Sequence, residues 1–286
     1  TPPEPFTITG PERRSLDDAA HEAAVAEARR AIAAGEIFQA NITRRRTLTC
    51  AGSIRDLAIA ALAAARPRYG AVLEAPGGRG LVSMSPESFL DVHRRPDGLR
   101  VARTRPIKGT LAAADSAAGD AGPAELLASP KDAAELTMIV DLMRHDLGRV
   151  AVPGGVRVTQ PRHVETHATV HHAVAEVEAV LRPDVDAAAL LAATFPPGSV
   201  TGAPKIRAMQ VIDRLEPCRR GPYCGAIGWL GDDGAVRLNV AIRTIAMTAD
   251  SEAPHDARSS RGRIDYASGG GIVADSIPAA ERREAD

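Results

Sequence analysis

Lysine is scarce in this chain. Of its 35 lysine and arginine residues, only Lys108, Lys131 and Lys205 are lysines. Lys108 lies in the stretch ARTRPIKGT, residues 102–110. A lysine can shed its proton and attack carbon, and an arginine in practice cannot. The scarcity therefore points to Lys108 as a position where arginine does not serve; chance survival in an arginine-rich composition is the plainer alternative. Two acid pairs sit one helical turn apart, Asp132 with Glu135 and Glu281 with Glu284. At i, i+3 each pair shares one helix face. Standing apart, such faces are ordinary solvated surface. Brought together, four carboxylates repel and need a cation, and a few carboxylates with waters and substrate oxygens are typical of Mg²⁺. Arg243, in AIRT, and Tyr223 suit a second anion, because a guanidinium grips a carboxylate through two parallel bonds. A surface arginine and a half-buried tyrosine are the plain reading of those two. Together these residue types outline a small, doubly anionic substrate, one end on metal and one on arginine.

The elements that must position them follow from periodicity and caps. Residues 15–34 read as an amphipathic helix capped by Ser15, with Asp18 three residues on and Gly35 ending it. Residues 36–49 alternate as a strand. A second helix runs from Ser53, with Asp56 three residues later, to about residue 65 before Pro67. Residues 69–103 are short strand-like runs broken by PGGRG and RPDG, as in an antiparallel meander. Residues 111–124 read as a loop and 130–143 as a helix. The spacing over 157–181 fits strand or helix equally. Short helices are expected over 186–193 and 204–215, and a hairpin around GDDG within 223–247. Residues 250–263 read as loop, and Pro278 opens a last helix. The mix predicts an α+β fold with extensive, mainly antiparallel sheets flanked by helices.

A chain of 286 residues, 44% hydrophobic and 25% charged, can bury a large core in one or two domains. A net charge of −1 offers no basic field for nucleic acid or an anionic membrane. No apolar run approaches the ~18–20 residues of a membrane span, and no signal peptide opens the chain. Three cysteines without a CxxC pattern read as reduced thiols of a cytoplasmic protein. The first residue is Thr1, so a processed chain or a fragment is expected.

Other motifs lack context. His163, His167 and His171 recur every four residues, which on a helix would make a zinc-like face. On a strand the same spacing merely shares a side. Tyr223-Cys224-Gly225 is a weak nucleophile elbow, since Pro222 stands where a glycine is needed. The run Gly269-Gly270-Gly271 offers backbone N–H groups to an anion, as any glycine run does.

Eight blocks, in order along the chain, carry a resemblance: GEIFQANITRR (35–45), SPESFL (85–90), RTRPIKGT (103–110), KDAAELTMIVDLMRHDLGRV (131–150), FPPGSVTGAPKIRAMQVIDRLEP (195–217), RGPYCGAIG (220–228), NVAIRT (239–244) and GGGIVADSIPAAERRE (269–284). The chain resembles the chorismate-utilising enzymes, which include component I of anthranilate synthase and of aminodeoxychorismate synthase, with isochorismate and salicylate synthases as relatives. The resemblance implies a single chorismate-binding catalytic domain over 15–286, with residues 1–14 a remnant or linker. The family's N-terminal region would be absent and its C-terminal helix truncated. It separates the PIKGT of aminodeoxychorismate synthases from the PIAGT usual in anthranilate synthases. Lys108 is thereby expected to attack ring carbon C2 of chorismate, with burial, Arg103 and Arg105 lowering its proton affinity. Ammonia then enters at C4 and gives 4-amino-4-deoxychorismate.

The same resemblance makes Glu87 the general acid at the leaving hydroxyl and His172 an active-site histidine. Glu135 and Glu284 become Mg²⁺ ligands, with Asp132 and Glu281 as further or water-mediated partners. Arg243, Tyr223, Gly270 and Gly271 would bind the enolpyruvyl carboxylate, and Thr110 and Thr201 would line the pocket. Gln39 stands where water-adding relatives carry a basic lysine, which disfavours water as nucleophile. Ammonia would come free or from a glutamine amidotransferase subunit or domain. Four departures from the family pattern, Asp132, Leu136, His145 and Ala175, lie in or beside these motifs. An anthranilate synthase component I, or a catalytically silent chorismate-binding subunit, are the alternatives.

Overall fold

A computed structural model describes residues 6–112, 121–167, 170–250 and 261–286. Its elements begin with β1 (Thr7–Ile8), β2 (Arg13–Arg14), α1 (Asp18–Ala33), β3 (Gln39–Ala51), α2 (Ile54–Ala65), β4 (Tyr69–Ala75) and β5 (Arg79–Ser85). They continue with β6 (Ser88–Arg94), β7 (Arg100–Arg105), β8 (Ile107–Ala112), α3 (Ala121–Ala128), α4 (Pro130–Gly148), β9 (Ala151–Thr166), β10 (Val170–Leu181) and α5 (Ala187–Thr194). The last are β11 (Gly202–Ala203), α6 (Lys205–Leu215), β12 (Ala226–Leu230), β13 (Val236–Val240), β14 (Thr244–Ala249), β15 (Arg261–Ile272) and α7 (Pro278–Glu284).

Two compact units alternate along the chain. One comprises Thr1–Pro86, Val200–Gly225 and Ala241–Asp286; the other comprises Glu87–Ser199 and Ala226–Val240. The first holds an eight-stranded sheet in the order β1-β3-β15-β14-β5-β4, with β2 and β11 also on β3. Helices α1 and α6 close one core over it, where Val25, Ala28, Ile42, Ala208, Val211 and Ile272 are buried. Helix α2 closes another with Ile54, Leu57, Val82, Met247 and Ile264. The second unit holds a seven-stranded sheet in the order β12-β13-β6-β7-β10-β8, with β9 also on β10. Its helix α4 buries Leu136, Ile139, Met143 and Leu147. Every pairing among the described residues is antiparallel, as the α+β reading expects.

Local chemistry sets the helix starts. Ser53 and Asp56 form the expected capping box of α2. Helix α1 departs from expectation: its cap is Asp17, whose carboxylate accepts the Ala20 N–H at 2.8 Å. A cap must directly precede the first helical residue. Ser15 lies too early, and its hydroxyl accepts the Arg45 N–H at 2.9 Å instead.

The ambiguous stretch 157–181 resolves into β9 and β10. His163 and His171 therefore lie on opposite strands of a hairpin with His167 in its connection, and no helical face of histidines forms. Among the described residues no three His, Cys, Asp or Glu side chains group to hold a metal. The loop expected over 111–124 gives way at both ends, since β8 runs to Ala112 and α3 begins at Ala121. Its Ala- and Gly-rich composition hid the helix, which packing of Leu126 anchors. Residues 113–120 and 251–260 of the two expected loops lie outside the described residues, and β15 already runs from Arg261. No helix among the described residues is long and apolar enough to cross a membrane.

Candidate active site

The second unit carries Lys108. It is the second residue of β8, its side chain is 14% exposed, and its Nζ stands 3.9 Å from Glu135 Oε2. Lys131 Nζ approaches the other oxygen of the same carboxylate at 4.0 Å. Two of the chain's three lysines thus converge on one buried acid. Gly109 makes this closeness feasible. Its φ is +95°, and a Cβ there would fall 2.9 Å from Leu126 and 3.1 Å from the Asp132 carboxylate. The Gly of RPIKGT is therefore a point where α3 and α4 crowd the strand. Asp132 and Glu135 share the first turns of α4, set by the Ser129 cap and Pro130.

Arg103 and Arg105 do not act as the expected cationic neighbours of Lys108. Arg103 pairs with Glu176 at 3.2 Å and Glu178 at 3.1 Å, and Arg105 with Glu176 at 3.3 Å and with Glu165. Adjacent acids on β9 and β10 neutralise both guanidiniums, an arrangement that no reading of β7 alone could supply.

Glu87, between β5 and β6, is 3% exposed. Burial pushes its carboxyl up to about 7, while the Ser199 hydroxyl, the Lys108 charge and the Ile107 backbone amide pull the other way. A carboxyl so placed exchanges a proton readily near neutrality. On β10, His172 is buried, and its Nδ1 lies 3.0 Å from the hydroxyl of Thr110, its cross-strand neighbour. The His167 ring sits tilted against it, with centroids 5.6 Å apart.

The first unit carries the rest. Gln39 opens β3 with 0% exposure, and neither side-chain amide atom has a hydrogen-bond partner among the described residues. Thr201 is buried, and its carbonyl accepts the Asn41 N–H at 2.8 Å. Arg243 is exposed at a left-handed bend, φ +49°, where its carbonyl accepts the Met84 N–H at 2.9 Å. Burial drives the Tyr223 phenol well above its ordinary range, chiefly through desolvation. Gly269, Gly270 and Gly271 lie on β15 opposite Thr43, Ile42 and Asn41. A Cβ on Gly269 would strike the Ile42 carbonyl at 2.2 Å, so no side chain fits there.

The two acids of α7 differ. Glu281 is buried, accepts the Ser276 hydroxyl at 2.6 Å, and holds Oε2 3.1 Å from where a Gly270 Cβ would be. Glu284 is exposed. Ser276 escaped the sequence reading, although a serine just ahead of a proline-led helix was the available signal. Asp132 and Glu135 on α4, and Glu281 and Glu284 on α7, are carboxylate pairs with oxygen donors only, and Glu135 and Glu281 are the buried members. That donor chemistry fits a hard divalent cation and is unsuited to a soft one. Of the departures from the family pattern, Leu136 and Ala175 are core residues and His145 is exposed.

Aminodeoxychorismate synthase component 1 of Klebsiella aerogenes is 40% identical over 280 residues, 98% of this chain and 58% of that protein. Anthranilate synthase component 1 of Thermus thermophilus is also 40% identical, over 99% of this chain and 58% of that protein. The crystal structure of anthranilate synthase component I from Streptococcus pneumoniae superposes with a TM-score of 0.81 at 31% identity, covering 99% of this chain and 58% of that one. The chain accordingly spans under three-fifths of the length of these relatives. The model of the chorismate binding enzymes matches residues 1–286, and the chain belongs to that family.

Proposed function

We propose that the chain is the catalytic part of an aminodeoxychorismate synthase component I, which joins ammonia and chorismate into 4-amino-4-deoxychorismate and water on the route to 4-aminobenzoate and folate. Relatives of both names match at 40%, so identity does not choose between them. The observation that carries the choice is Lys108, sheltered on β8 beside Glu135 and electrostatically coupled to a Glu87 that titrates at about 7.

The chemistry closes on these groups. The free amine of Lys108 forms a bond to C2 as the ring double bond shifts and the C4–O bond breaks. Glu87 gives its proton to the departing hydroxyl, which leaves as water. Ammonia then bonds C4, the C2–N bond breaks, and its electron pair returns to Lys108. The surplus proton on the new amine restores Glu87. One hard displacement becomes two easier ones. Arg243, Tyr223 and the Gly270 and Gly271 amides take the enolpyruvyl carboxylate. The family resemblance assigns His172, Thr110, Thr201 and Gln39 to the substrate pocket, and a glutamine at position 39 lacks the basicity to activate water. By the family resemblance Glu135 and Glu284 would hold Mg²⁺, with Asp132 and Glu281 as further or water-mediated partners, and the ion would supply positive charge to the ring carboxylate. Ammonia comes free or from a glutamine amidotransferase partner.

Chorismate, Mg²⁺ and ammonia supplied to the protein are expected to give aminodeoxychorismate by mass, with no pyruvate. Anthranilate and pyruvate would instead establish the second reading, an anthranilate synthase component I, which the Thermus relative favours.

A further inference from the structure

The largely buried ion pair between the side chains of Glu216 and Arg220 belongs to none of the roles assigned above. Glu216 is the residue at which α6 stops and the chain turns extended, φ −92° and ψ 122°. Its side chain is 6% exposed and that of Arg220 16%. One oxygen of Glu216 accepts the Thr43 N–H at 2.9 Å, the Thr43 hydroxyl at 2.8 Å and Arg220 Nη2 at 2.7 Å; the other accepts Arg220 Nε at 2.9 Å. Arg220 also donates to the carbonyls of Val200 and Asn41, both at 2.8 Å. Four bonds leave the planar fork no freedom to rotate.

What the fork ties together is specific. Asn41 gives its carbonyl to Arg220 and its N–H to the Thr201 carbonyl, so β3 and the Val200–Thr201 backbone share one anchor. Tyr223 follows Arg220 by three residues, and Thr43, Glu216, Arg220 and Tyr223 line one small cavity. A buried ion pair contributes little net stability, since desolvation offsets attraction. Its distinct contribution is geometric.

We infer that Glu216 and Arg220 are positioning residues that hold Tyr223, for the carboxylate it binds, and Thr201, for the pocket it lines, in register. This rests on the reading that those two residues line a chorismate pocket. The pair touches no reacting atom, so its loss is expected to weaken ground-state and transition-state binding alike.

The test is Arg220→Lys in the full chain, which keeps the cation and removes the fork. KM for chorismate is expected to rise about tenfold or more with kcat within about twofold, the signature of lost uniform binding. Amide exchange at Asn41 and Cys224 should quicken by a similar factor, while the paired amides of β9 and β10 keep their protection. A lowered melting temperature with KM and local exchange unchanged would mean a merely structural pair and would overturn the inference. A fall in kcat at constant KM would overturn it too. Glu216→Gln, which keeps an acceptor for Thr43, carries the same measurements where Arg220→Lys does not fold. A wild-type protein that neither binds nor converts chorismate would defeat the proposed function. The exchange arm would still decide the clamp, since unchanged protection at Asn41 and Cys224 means that it positions nothing.

Discussion

Lys108 Nζ lies 3.9 Å from Glu135 Oε2, on the strand that the crowded Gly109 holds against α4. The proposed nucleophile is thus paired with a proposed metal ligand before any substrate arrives. Replacing Lys108 by alanine or by arginine should therefore cost about 10²-fold or more in amination, because neither residue can form the covalent bond. Intact-mass measurement on wild type given chorismate without ammonia should trap the adduct. Full activity in Lys108→Ala would remove the covalent route.

In the proposed mechanism Glu87 must hold a proton at the leaving step. With its carboxyl at about 7, kcat should fall as pH rises through that value. Glu87→Gln should lose about 10²–10⁴-fold in kcat and the associated limb of the pH–rate profile. A limb retained in the variant would assign it to another group.

The same carboxyl links stability to pH. Its folded value of about 7 exceeds the ordinary 4.5, so the folded state binds more protons between the two. Stability from this group is complete below 4.5 and declines as pH rises through about 7. The shift corresponds to about 3 kcal/mol by the end of that window. Glu87→Gln should therefore outlast wild type in urea at pH near 8, with the gap closing near pH 5. An equal gap at both would contradict the burial argument.

Gly109→Ala should destabilise by about 1–3 kcal/mol, because alanine meets Leu126 and Asp132 at a backbone conformation it resists. Chemical denaturation measures this directly. A neutral result would mean that α3 and α4 yield easily.

Chelation should abolish turnover, and Mg²⁺ should restore it. The structure separates the two acids of α7: Glu281 is buried against Ser276 and Gly270, and Glu284 is exposed. Glu284→Gln, which removes a proposed direct ligand, is expected to raise the Mg²⁺ needed for half activity by more than roughly tenfold, and Glu281→Gln, which removes a proposed water-mediated partner, by about tenfold. The reverse order would move the direct contact to Glu281.

Local signals were the legible ones. The Ser53–Asp56 box, the proline-led starts of α4 and α7 and the GDDG hairpin could be read from a few residues each. The long hairpin of β9 and β10 could not, because its apolar spacing satisfies two periods and only cross-strand pairing decides. The carboxylate pairs were legible as pairs. Which acid of α7 turns inward was not, since packing against Ser276 sets it. Arg103 and Arg105 misled for a related reason: their partners Glu165, Glu176 and Glu178 lie some 60 to 75 residues away.

Strand β3 finds its long partner, β15, only far along the chain: Thr47 and Asp265, hydrogen-bonded at 2.5 Å, are separated by 218 residues. During synthesis one edge of β3 stays unpaired until a strand some 218 residues later has left the ribosome. Such a nascent edge is open to misplaced strands. Yield in the cell should thus depend on chaperone supply and translation speed more than on the strength of the finished fold.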